Sequence, residues 1–158
     1  MKNIPSNINF DAKHYKWKND INYRSHPELY CVGKGEQGVL ICQPYKQEIC
    51  PHWKFKTPQI AQESSDKIYA MFIAYLKKDD FVGADLARKY LQMGFTRARR
   101  YANYKGGKKF SAPDQLCVKG TGDREKAVCA DIFYQKWKQA EANPTYASLK
   151  KIWKKQYG

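Results

Sequence analysis

"ELYCVGKGEQGVLICQPYK", residues 28–46, decides how the fold is read. Two apolar runs, residues 29–32 and 39–42, flank a centre that holds Gly33, Gly35 and Gly38. Glycine supplies the positive φ of tight turns, so the stretch predicts a β-hairpin. Pro44 is expected to end the second strand, because proline cannot donate to a ladder. Beyond it, "PHWKFK" (residues 51–56) alternates Trp53 and Phe55 with Lys54 and Lys56. A period of two is that of a short, half-buried edge. A small antiparallel sheet near the N-terminus is the expectation.

Helical grammar follows. Thr57 is a capping type, and Pro58 suits the first helical position. Ala61, Ser64, Ile68, Met71, Phe72, Tyr75 and Leu76 recur at helical spacing, and Lys77 and Lys78 complement a carboxyl end. A second helix fits residues 80–93. Its apolar stripe is Val82, Leu86, Tyr90 and Met93, and Asp85 and Lys89 are spaced for an ion pair. Gly94 predicts its stop, and Thr96 a cap for another turn or two. "SAPDQ" (residues 111–115) and residues 118–122 read as loop. Asp123 is expected to cap a helix through Ala140, with Val128, Ile132, Phe133 and Trp137 inward. Asn143-Pro144 opens a last helix that packs Leu149, Ile152 and Trp153. The fold class expected is therefore α+β, a small N-terminal sheet covered by four or five helices. Residues 1–27 read as an extended arm pinned by Phe10, Tyr15, Trp17 and Tyr23. With neither an internal repeat nor a long linker, residues 1–158 are expected to form a single domain.

Composition narrows the partners. The chain has 158 residues, 42% of them apolar and 15% aromatic, enough to bury a core. Its 29 Lys and Arg against 15 acids give a net charge of +14. A field of that sign draws nucleic acid and other polyanions. The five cysteines are an odd number, and "MKNIPSNINF" has no apolar core of a secretory leader. A cytoplasmic protein with free thiols is expected. No stretch approaches the roughly 18 apolar residues of a membrane span, so no membrane partner is expected.

Residues 86–113 contain Arg88, Lys89, Arg97, Arg99, Arg100, Lys105, Lys108 and Lys109 and no acid. Arg97 and Arg100 share a helical face. The planar arginine fork grips phosphate through two bonds. Gly106 and Gly107 would let backbone N–H groups approach an anion. Tyr101, Tyr104 and Phe110 interleave with the cations as rings on which bases could stack. The glycine turn adds Lys34 and its own amides. Arg97, Arg99 and Arg100 are expected to hold phosphates, with Arg88, Lys105, Lys108, Lys109 and Lys34 assisting and Tyr101 and Tyr104 stacking.

Other motifs say less. "GKGEQG" matches G-x-G-x-x-G, but a dinucleotide fold needs a helix after it and β-type residues follow. Cys31, Cys42, Cys50 and His52 fit no common zinc spacing, so neither metal nor cofactor is expected. The carboxylates are scattered, and no nucleophile elbow or Ser–His–Asp order is present. Glu36 is the acid best placed for chemistry, in a cryptic site with His52, Arg97 and Tyr101. The basic C-terminal "SLKKIWKKQY" reads as a helix packing its Leu and Trp.

"VGKGEQGVL", "PYK", "HWKFK", "DFVGADLARKYLQMGFTRARRYAN" and "GGKKF" together resemble a family of short proteins catalogued as domain of unknown function 4385, found in bacteria, fungi and large phages. The resemblance implies that the glycine turn and the arginine run belong to one design. For a phage-encoded copy it implies a role in host takeover, DNA metabolism or evasion of nucleotide-signalled immunity. The function expected is non-catalytic binding of a phosphate-bearing polyanion, nucleic acid first. A small-nucleotide binder, an enzyme acting on a phosphorylated substrate and a module for an acidic host protein are the alternatives.

Overall fold

A computed structural model describes residues 15–104, 110–112, 115–116 and 123–158. Its elements run α1 (Tyr45–Ile49), α2 (Pro58–Lys77), α3 (Phe81–Asn103), β1 (Phe110–Ala112), β2 (Gln115–Leu116), α4 (Arg124–Glu141) and α5 (Pro144–Tyr157). The helix starts follow the capping residues. Thr57, Asp80, Asp123 and Asn143 accept from Ile60 N, Gly83 N, Glu125 N and Tyr146 N respectively. Each satisfies a donor that the first helical turn leaves without a partner.

Helix α3 is the axis of the molecule. Every residue from Phe81 to Leu91 is buried, and α2 and α4 pack along it. Gly94 does not stop it. A Cβ at Gly94 would lie 2.3 Å from Cδ1 of Phe133, so the missing side chain is what lets α4 seat its phenyl ring there. Thr96 caps nothing; its hydroxyl donates to the Gln92 carbonyl at 3.1 Å, one turn back. Phe133 is buried as expected, but Val128 is 50% exposed on the outer face of α4.

The expected N-terminal sheet is absent among the described residues, and the α+β assignment falls with it. Residues 27–42 form a 3-10 turn (Pro27–Leu29), an irregular stretch over residues 30–34 and consecutive turns over residues 35–41. Their backbone groups are satisfied by local turn bonds, such as Gln37 N to Lys34 O at 3.2 Å, and by groups from outside the segment rather than by a ladder. Arg88 donates to Gly35 O at 2.8 Å, Lys89 to Gln37 O at 2.5 Å and Tyr90 to Val39 O at 3.0 Å. Val32 N donates to Gly158 O at 2.7 Å. Once those carbonyls face the helix they are unavailable to a partner strand. Pro44 follows a cis bond and precedes α1, where a strand end was expected. The described residues are helical, with an irregular stretch over residues 15–44. Its extended pairing, among the described residues, consists of the short antiparallel β1–β2 contact at Phe110↔Leu116 and Ala112↔Gln115 and an isolated bridge between Asn22 and Gln43.

This irregular stretch is held down by rings. Trp17 and Tyr23 are buried in the core; Phe10 lies outside the described residues. Trp17 lies under the glycine turn, and a Cβ at Gly38 would come within 2.7 Å of its indole. Gly38 also has φ +85°, a backbone region that side chains with a Cβ avoid.

Candidate anion-binding face

The cations of α3 divide into two groups. Asp85, Arg88 and Lys89 lie three and four residues apart, so they share a face, and the glycine turn lies on that face. Asp85 is fully buried and accepts from Arg88 Nη2 at 2.7 Å and from the Tyr146 hydroxyl at 2.6 Å. It also accepts a very short bond from the Tyr30 hydroxyl, and Lys89 Nζ lies 3.8 Å from it. Burial alone would raise the Asp85 pKa, but Arg88 and Lys89 outweigh it and hold the carboxyl at about 2. Arg88 is buried, and four of its five N–H donors are engaged inside the protein. Its remaining bonds go to Gly35 O, Gln92 Oε1 and the Tyr146 hydroxyl, at 2.8, 2.8 and 2.9 Å. The Lys89 ammonium lies over the Trp17 and Tyr30 rings, and burial pulls its pKa down to about 8. This cluster is a clamp that fixes the glycine turn to the axis. Arg88, expected to assist in phosphate binding, is an internal strut instead.

Two to three turns further on, the same helix presents Arg97, Arg99 and Arg100. Arg100 is exposed, and Arg97 and Arg99 are half-buried. None of the ion pairs among the described residues uses them. Those pairs involve Arg24, His26, Arg88, Lys89, Lys136 and Lys138. Arg97 lies 6.0 Å above the Trp53 ring. On the turn side stands Glu36. Burial raises its pKa; Thr96, Arg97, Arg100 and Arg88 oppose the rise. The glycine turn and the arginine run therefore meet in space, at Glu36, Thr96 and Arg97.

The "PHWKFK" strip lies against the adjacent face of α3. It forms no strand but carries a file of rings. Trp53 contacts Tyr90 and Phe55 at 6.1 and 5.3 Å between centroids, and Phe55 contacts Tyr101 at 6.2 Å. Lys126 of α4 pins the strip, donating to the carbonyls of Phe55 and Lys56 at 2.7 and 2.9 Å. Its ammonium also lies over the Phe55 and Tyr101 rings. Lys54 and Lys56 are exposed between the rings, and Tyr101 is 40% exposed. Trp53, Phe55 and Lys126 were not among the expected site residues. The alternation of ring and cation in "HWKFK" was the available signal, and it was absorbed by the strand expectation. Of the rest, Lys34 is exposed on the turn and Tyr104 half-buried at the end of α3. Lys105, Lys108 and Lys109 lie outside the described residues.

A cavity of about 600 Å³ opens elsewhere, lined by Arg24, Glu48, Tyr75, Lys78 and Asp80 among others. Its charges are largely spent on one another. Arg24 grips Glu48 through two bonds of 2.7 and 2.8 Å and lies 3.7 Å from Asp80. The tyrosines orient both carboxylates: Tyr75 donates to Glu48 at 2.7 Å, and Tyr45 to Asp80 at 2.8 Å. Among the described residues no group of three His, Cys, Asp or Glu is placed to hold a metal ion, and no helix is long and apolar enough to cross a membrane.

The helical fold and the cationic face together describe a small basic helical protein. The chain belongs to the family described as "Domain of unknown function (DUF4385)", whose model matches residues 13–156. No curated protein and no solved structure matches it.

Proposed function

We propose that this protein binds a phosphate-bearing polyanion, nucleic acid first, without chemistry on it, through Arg97, Arg99 and Arg100 at the second half of α3. One observation carries the proposal: Arg97, Arg99 and Arg100 enter none of the ion pairs formed among the described residues, with Glu36 in the field of Arg97 and Arg100, whereas Arg24 and Arg88 are paired with Glu48 and Asp85. A cationic cluster offset only in part by Glu36, in a protein of net charge +14, raises the local concentration of anions. Lys54 and Lys56 are further exposed cations, in the strip whose Trp53 lies under Arg97.

Binding is read by fluorescence anisotropy of a labelled oligonucleotide across a salt series. For duplex DNA each neutralised phosphate contributes about −0.9 to the slope of log affinity against log salt. The triple variant Arg97→Gln, Arg99→Gln, Arg100→Gln should flatten that slope by about 2 to 3 while the melting temperature holds. A slope near zero for the wild type, or one that the triple variant leaves unchanged, rejects the proposal.

A further inference from the structure

We infer that the preferred ligand of this face is single-stranded nucleic acid, with the Trp53–Phe55–Tyr101 ring file as its base platform. The inference rests on the polyanion reading above and adds the form of the polymer. A duplex offers a protein surface its phosphates and groove edges, with the base faces stacked on one another. A single strand offers base faces as well, and every base has one. Arginines alone would serve either form; side-by-side rings in reach of solvent serve only the second.

The arrangement has the parts that a single strand requires. Three rings follow one another in steps of 5.3 and 6.2 Å, and the last, Tyr101, is 40% exposed. Cations alternate with them: exposed Lys54 and Lys56 in the chain, and Arg97 over the Trp53 ring. Lys126 holds the strip by its carbonyls, so the platform is fixed before any ligand arrives. Preorganisation of this kind lowers the ordering cost of binding.

The test compares a labelled oligodeoxythymidylate with a blunt duplex of equal length at one salt concentration, using the full chain. Tryptophan fluorescence is followed in the same titrations. The expected result is tighter binding of the single strand, with quenching on saturation. Stacking is worth about 1–3 kcal/mol per base, so Tyr101→Ala and, separately, Phe55→Leu should each weaken single-strand binding by roughly 5- to 100-fold. The ratio of single-strand to duplex affinity should fall toward one. Circular dichroism melting identifies a variant that has lost its fold, and Tyr101→Leu, which keeps an apolar side chain there, then replaces Tyr101→Ala. Equal or tighter duplex binding overturns the inference and leaves the polyanion reading standing, as does an unchanged ratio in folded Tyr101 variants. Failure to bind either polymer overturns both.

Discussion

Arg88 reaches across 53 positions of sequence to donate to the Gly35 carbonyl at 2.8 Å, and in doing so it turns that carbonyl inward. The two ends of one basic run therefore have opposite duties. Arg88→Met should leave Asp85 short of its strongest partner and Gly35 O without one. Removing one partner of a buried ion pair costs about 3–5 kcal/mol. Arg100→Gln, on an exposed surface, should stay within about 0.5 kcal/mol. Chemical denaturation separates them: a large loss at Arg88 and almost none at Arg100, with oligonucleotide affinity falling at Arg100. The reverse pattern would remove the division into clamp and face.

Asp85→Asn tests the hub by pH. The folded pKa of about 2 lies below the ordinary carboxylate value, so the group stabilises the fold above about pH 4. That stability is lost as pH falls through about 4 toward 2. At neutral pH the variant should be less stable by about 2–4 kcal/mol. The gap between wild type and variant should narrow as the solution is acidified over that window. Urea denaturation at several pH values reads it; a gap independent of pH would mean that Asp85 is not the charged partner.

Gly94→Ala weighs two effects of opposite sign. Alanine is the better helix former by about 1 kcal/mol. Its methyl would be placed 2.3 Å from Phe133 Cδ1, and overpacking costs about 1–3 kcal/mol. Steric cost should win, lowering the melting temperature, and Phe133→Leu in the same chain should recover part of the loss. A stabilised Gly94→Ala would mean that α4 can shift away at little cost.

Glu36→Gln should tighten oligonucleotide binding. Glu36 lies in the field of Arg97 and Arg100 and offsets part of the charge that a phosphate would meet. Its removal is worth about 1 kcal/mol at a partly buried site, roughly fivefold in affinity at low salt. Weaker binding after this change would instead make Glu36 a group that positions Arg97.

Much of the helical frame was legible because helix ends are local chemistry. Thr57, Asp80, Asp123 and Asn143 cap through their own side chains, and three of the four precede proline or an apolar run. The Asp85–Lys89 pair was legible for the same reason. What failed depended on residues far away in sequence. The glycine turn carries the pattern of a hairpin, but its carbonyls are taken by three consecutive side chains of α3. Gly94 has the residue type of a stop, yet the ring of Phe133 is what requires it. The ring file was visible as letters, and only the packing of residues 51–56 against α3 makes it a surface.

The Asp85 carboxylate also imposes an order of events on the growing chain. It is bonded to Tyr30 and to Tyr146, which lie 55 residues before it and 61 after it. A ribosome releases Tyr30, Asp85 and Arg88 well before it has made Tyr146. Until then the carboxylate lacks one of its two phenol donors. The Asp85 centre is therefore complete only when the opening of α5 is in place.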